Sequence, residues 1–87
     1  MLRLNTRNAD TLNAVFSEPT PSGLAWREIE ALLIAVGCQI VEGRGSRVRF
    51  VKDGQVETFH RPHPAKEAKR YQVRATRDFL VRSGVRL

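Results

Sequence analysis

The chain has two histidines, His60 and His63, and both fall in one six-residue stretch, "FHRPHP" (Phe59–Pro64), with Arg61 between them. A second stretch, "GRGSRVRF" (Gly43–Phe50), carries Arg44, Arg47 and Arg49. Imidazoles beside guanidiniums make up the parts needed for RNA cleavage by attack of a ribose 2′-oxygen on the adjacent phosphate. That reaction needs a general base, a general acid and cations around a phosphorane-like transition state, and it needs no metal. Imidazole, with an ordinary pKa of about 6.5, suits proton transfer near neutral pH. One positioned acid or base contributes roughly 10²–10⁴-fold, and arginines supply the charge stabilisation. The parts suffice for the chemistry, but the spacing alone does not single it out, since two histidines among prolines also make a plain turn. The candidate catalytic residues are therefore His60 and His63. The candidate RNA-binding residues are Arg44, Arg47, Arg49, Arg61, Lys69 and Arg70.

Other chemistries fit less well. Two histidines three apart with a proline between them are not a zinc pattern, and Cys38, the single cysteine, has no partner for a metal site or a disulfide. "GRGSR" is too short and wrongly placed for a phosphate-binding loop, and Ser46 lacks a nucleophile elbow. Neither a metal nor a cofactor is expected. Cys38 reads as a small core residue in a reducing compartment.

The charge is uneven. Fifteen Lys and Arg against nine Asp and Glu give +6. Residues 1–42 hold three basic and five acidic residues, whereas residues 43–87 hold twelve basic and four acidic ones. Twelve of the fifteen cations are arginine, whose planar fork matches phosphate better than a lysine does. A basic half of this kind points to a polyanion, either RNA or an acidic protein partner. At 87 residues the expectation is one domain, 1–87, with an N-terminal extension over 1–21 and a core over 22–87. No apolar run approaches the roughly 18 residues of a membrane span, and the N-terminus lacks the apolar centre of a signal peptide. A cytoplasmic protein with no membrane partner is expected.

The elements that must position these residues follow from periodicity. Residues 1–7 read as a frayed end and "NADTLNAVFSEP" as a short helix from about Asn8, with Leu12, Val15 and Phe16 on one side, stopped by Pro19 and Pro21. "LAWREIEALLIAVG" is a helix with Trp26, Ile29, Leu33 and Val36 on a buried stripe and Gly37 at its C-terminus. Three strands come next. "CQIVE" places Cys38 and Ile40 on one side. "SRVRFVK" sends Val48 and Phe50 one way and Arg47, Arg49 and Val51 the other. Asp53-Gly54 is a two-residue hairpin turn, and "QVETFH" returns with Val56 and Phe59 as expected core. "AKEAKRYQVRATRDFLVRSGV" is the last helix, with Val73, Thr76 and Leu80 inward, Lys69, Arg70, Arg74 and Arg77 over much of the rest, and Gly84 as its stop. The order is (α)-α-β-β-β-α, an α+β fold. A three-stranded antiparallel meander is covered on one face by two helices, and its other face, bearing Arg47 and Arg49, is left open.

The "GRGSRVRF" strand opening, the "FHRPHP" turn, the helix ending "LLIAVG" and the final helix ending "SGV" together resemble the HicA toxin family, over roughly Leu24 to Val85. That resemblance implies a double-stranded-RNA-binding-domain-like α-β-β-β-α fold. It also implies a ribosome-independent mRNA interferase that cuts RNA without a metal, and neutralisation by a HicB-like antitoxin. In many family members the "GS" motif is followed by the histidine assigned to catalysis; here that position is Arg47, as in a "GSR" subgroup. Three readings follow. His60 or His63 takes over the proton transfer, with His60 preferred because the family's common "HP" implies a structural role for His63. Alternatively, Arg47 leaves a slow enzyme that works mainly through phosphate stabilisation. Or the chain is a non-catalytic RNA-binding module, or a basic domain that binds only a protein partner.

Overall fold

A computed structural model of the chain describes residues 3–87. Its first helix, α1 (Thr6–Val15), starts two residues before the expected Asn8, because the Asn5 side chain accepts the Asn8 N–H at 2.7 Å and caps it. Of the end expected to fray, residues 1 and 2 lie outside the described residues, and Thr6 and Arg7 are helical. Leu12 and Val15 are buried in the same core as the later elements. Helix α2 (Trp26–Ala35) carries the expected stripe, with Trp26, Ile29, Leu33 and Val36 all buried and Leu32 added to it. Gly37, at φ 102°, takes the left-handed turn that ends the helix.

The sheet is antiparallel in the order β1-β2-β3, with β1 (Gln39–Glu42), β2 (Arg47–Lys52) and β3 (Gln55–His60). Asp53 and Gly54 both have positive φ and close the β2–β3 hairpin. Val48 and Phe50 face the helices without solvent exposure, opposite Phe59 and Glu57. Phe59 meets the Trp26 ring edge-on at 5.2 Å and Phe50 at 6.0 Å, which ties the sheet to α2. Val56 is not core: it pairs with Val51 on the outer face and is 48% exposed. Residues 56 and 59 are three apart, and strand alternation places them on opposite faces unless a bulge intervenes.

Helix α3 (Arg70–Arg82) starts five residues later than expected. Residues 65–69 instead run as a strap beside the start of α2: the Trp26 N–H donates to the Lys66 carbonyl at 2.9 Å, and the Ala68 N–H to the Leu24 carbonyl at 2.7 Å. Val73, Thr76, Phe79 and Leu80 are buried, and α3 packs on β3 while α1 packs on α2 and α3. The arrangement is the α-β-β-β-α one expected, preceded by α1, with helices on one face of the sheet only. No helix among the described residues is long and apolar enough to cross a membrane.

Candidate active site

Arg47 and His60 are partners across β2 and β3, equidistant from the Asp53-Gly54 turn. The Arg61 N–H donates to the Ser46 carbonyl at 2.9 Å just beyond them. That bond makes Arg47 and His60 a non-hydrogen-bonded pair, the kind whose side chains stand closest, with Cα atoms about 4.5 Å apart. Both side chains project from the outer face, together with Arg49 and its partner Thr58, and all four are exposed. Val51 and Val56 give the same face an apolar end toward the hairpin, and Val41 lies beside Arg49.

Because the pair makes no bonds to itself, its backbone groups are used elsewhere. The Arg47 carbonyl accepts the Gly43 N–H at 2.9 Å, and its N–H donates to the Arg44 carbonyl at 3.0 Å. A glycine suits the close approach here: a Cβ on Gly43 would stand 3.1 Å from the Arg47 Cβ and 3.2 Å from its carbonyl oxygen, so the strand would have to give by a few tenths of an ångström. On the other side, the Gln72 amide nitrogen donates to the His60 carbonyl at 2.8 Å, and the Gln72 amide oxygen accepts the Lys69 N–H at 3.0 Å. Gln72 is only 2% exposed, so this clamp fixes the end of β3 against the first turn of α3. Ser46 Oγ stands 3.5 Å from His60 Nδ1, at the outer limit of a hydrogen bond, an orientation that turns Nε2 away from Ser46.

The remaining candidates divide. Arg44 is exposed in the β1–β2 loop, and Lys69 and Arg70 are exposed at the start of α3, next to the strand end that Gln72 clamps. Among the described residues, Arg44, Arg47, Arg49, Lys69 and Arg70 form no ion pair. Arg61 turns the other way. Its Nε donates to Glu30 Oε2 at 2.6 Å, and Nη1 and Nη2 donate to the two Glu42 oxygens at 2.7 and 2.9 Å. The Trp26 indole N–H donates to the same Glu30 oxygen. The hydrogen bonds from Arg61 hold the Glu42 carboxyl below its usual range, and the two carboxylates together raise the guanidinium pKa further. His63 lies past this clamp in the exposed turn. Burial pushes the Cys38 thiol up to about 11, which keeps it protonated and poorly nucleophilic at neutral pH.

The structure thus gathers Arg47, Arg49 and His60 on one open surface, leaves Arg44 exposed in the adjoining loop and Lys69 and Arg70 exposed at the start of α3, and directs Arg61 into an internal clamp. Gly43, Ser46, Gln72, Glu30 and Glu42 were not among the expected site residues. For Ser46 a signal existed: counting back from Asp53-Gly54 without a bulge places Ser46 and Arg47 beside His60. A family model described as HicA toxin of bacterial toxin-antitoxin matches residues 26–78. No curated protein and no solved structure matches the chain.

Proposed function

Since the chain belongs to the HicA toxin family, and so is the toxin of a toxin–antitoxin system with an antitoxin as partner, we propose that it is an mRNA endoribonuclease working from the outer face of its sheet. A HicB-like antitoxin holds it inactive in the cytoplasm. The observation that carries this reading is the Arg47–His60 pair on an uncovered face whose arginines, among the described residues, form no ion pair.

A single RNA strand lies with one phosphate between Arg47 and Arg49. His60 Nε2 takes the proton of the neighbouring 2′-hydroxyl. The 2′-oxygen–phosphorus bond forms as the phosphorus–5′-oxygen bond breaks, which leaves a 2′,3′-cyclic phosphate on one fragment and a 5′-hydroxyl, protonated from water, on the other. Arg47 and Arg49 hold the charge that builds on the phosphorus oxygens. Ser46 orients the imidazole, Gln72 fixes the strand that carries it, and Arg44, Lys69 and Arg70 hold flanking phosphates. His63 shapes the turn, and Arg61 holds that turn to α2 and β1. None of these steps calls on a metal.

Purified variants and a labelled RNA, with chelator present and circular dichroism as the folding control, test the reading. His60→Ala should cut roughly 10²–10⁴-fold more slowly while keeping its fold, and His63→Ala should cut at close to the wild-type rate. A His60→Ala variant that cuts like wild type would overturn the assignment. Growth arrest on expression, relieved by a co-expressed HicB-like protein, tests the antitoxin half.

A further inference from the structure

A cavity of about 450 Å³ opens on the helix side of the sheet, lined by Ala25, Trp26, Arg27, Arg61, Pro62 and Lys66. The cleavage chemistry above does not use it. Its walls are held firmly. The bond from the Trp26 N–H to the Lys66 carbonyl draws Lys66 alongside the first turn of α2. Glu30 and Glu42 hold Arg61, and with it the start of the proline turn. The bond from the Trp26 indole N–H to Glu30 fixes the ring.

The lining has a definite chemistry. Ala25 and Pro62 are apolar, and Trp26, 6% exposed, shows part of one ring between them. Arg27 is 83% exposed and has only a 3.9 Å approach to Glu28. Lys66 is exposed and, among the described residues, forms no ion pair. Arg61 is already balanced by two carboxylates, and no carboxylate is among the lining residues. Such a cavity suits a flat, partly apolar group that carries an anion. Its volume lies within the roughly 300–1,000 Å³ of small-ligand sites and suits one nucleotide. An apolar wall of this kind takes one face of a base, and arginine and lysine take its phosphate.

We propose that this cavity is a subsite for one nucleotide of the bound RNA strand, with the base against Trp26 and Pro62 and the phosphate between Arg27 and Lys66. This rests on the reading of the chain as an RNA-cleaving toxin. Arg61 and Pro62 directly follow His60, and consecutive Cα atoms are about 3.8 Å apart, so the wall of the cavity begins one residue from the proposed proton acceptor. A nucleotide held there would set the register of the strand over the Arg47–His60 pair, and would thereby help choose which bond is cut.

The test is a proton–nitrogen correlation spectrum of the full chain, titrated in turn with the four nucleoside 5′-monophosphates, ribose 5-phosphate, a short RNA and a Glu-rich peptide. Trp26 is the single tryptophan, so the indole N–H is one assigned signal. The proposal expects saturable shifts at that indole and at the Arg27 and Lys66 amides with a nucleoside monophosphate and with the RNA, and at least tenfold weaker binding of ribose 5-phosphate. It also expects Arg27→Glu/Lys66→Glu to weaken the nucleotide at least tenfold. A glutamate at position 27, in the first turn of α2, favours the helix, and Lys66 is exposed outside it, so the rest of the spectrum is expected to keep its wild-type dispersion. If the RNA shifts Arg47, Arg49 and His60 but leaves Trp26 still, the subsite is overturned and the RNA reading survives. If the RNA shifts neither region, both fall. If the peptide alone moves Trp26, the cavity takes a protein segment and the proposal is overturned.

Discussion

On the helix side of the molecule four arginines are held by carboxylates. Arg61 lies between Glu30 and Glu42, Arg77 reaches Glu18 at 2.5 Å and Thr20 at 3.2 Å, Arg7 holds Glu28 at 2.8 Å, and Arg82 holds Glu57 at 3.1 Å while its guanidinium stands over the Phe79 ring. On the outer face of the sheet, Arg47 and Arg49 form no ion pair among the described residues. Both groups are arginine, and composition counts them alike. What separates them is where the nine acidic residues fall. Glu18, Glu28, Glu30, Glu42 and Glu57 are all engaged by arginines that join separate elements, so most of the negative charge is neutralised in holding the fold. The +6 excess is therefore not spread evenly. Arg47 and Arg49 keep their share of it where no helix covers the sheet, and a guanidinium without a carboxylate is the kind that a phosphate can claim.

The comparison breaks most visibly at Arg61. Arg61→Ala leaves Glu30, 18% exposed, without the cation that balances it, and frees the turn from α2 and β1. Charge-assisted hydrogen bonds of this kind are worth about 1.5–3 kcal/mol, so a loss of about 2 kcal/mol in urea unfolding is expected. Arg61→Lys should recover only part of it, because an ammonium cannot fork between two carboxylates. RNA affinity should stay within a factor of a few. Unchanged stability with a large fall in affinity would move Arg61 into the outward-facing group.

That result would also bear on what the sequence can disclose. Alternation along β2 separates Val48 and Phe50 from Arg47 and Arg49, and the 3-4-3 spacing in α2 marks Trp26, Ile29, Leu33 and Val36, because local backbone geometry alone sets both patterns. The Arg47–His60 pairing is readable too, since a two-residue turn fixes the register of a hairpin. The role of Arg61 is not. Its partners lie 31 and 19 residues away, on different elements, and nothing local distinguishes it from Arg47. The same holds for residues 65–69, which have helical composition but are drawn straight by pairing with the start of α2. Val56 departs from the expected core for a simpler reason: the parity of its own strand, opposite to that of Phe59, puts it on the outer face. Gln72 gave no sign of its part, because a glutamine on a helix reads as surface until the His60 carbonyl is seen beside it.

Smaller in stability, and opposite in kind, are the changes on the outer face. Arg47→Ala and Arg49→Ala should each alter unfolding by less than about 0.5 kcal/mol, since both residues are exposed and, among the described residues, neither forms an ion pair. Each should instead flatten the dependence of log K for a single-stranded RNA on log salt by about 0.7, the share of one neutralised phosphate. Arg61→Ala should leave that slope alone. If the slope is the same in all three variants and wild type, the outer face is not where the phosphates lie, and the contrast between the two groups of arginines loses its functional meaning. A loss of folding in either outer variant would show that the face is not free.

The smallest effect is expected in acid. Arg61 holds the Glu42 carboxyl below its usual value of 4.5, chiefly by hydrogen bonding. A carboxyl whose folded pKa lies below its unfolded one stabilises the fold above the unfolded value, and loses that contribution as pH falls toward the folded one. Between pH 7 and 5 the melting temperature should therefore be insensitive to Glu42 ionisation, and from about 4.5 downward it should fall. Glu42 is solvent-exposed, so its share of that fall is modest. Glu42→Gln should melt lower than wild type at pH 7 and lose less on acidification, so that the two curves converge at low pH. Arg47→Ala, with no carboxylate to release, should run parallel to wild type throughout. Thermal melts of the three proteins from pH 7 to pH 3 decide it. If Glu42→Gln also stays parallel to wild type, Glu42 adds nothing through Arg61, and the clamp rests on Glu30 alone.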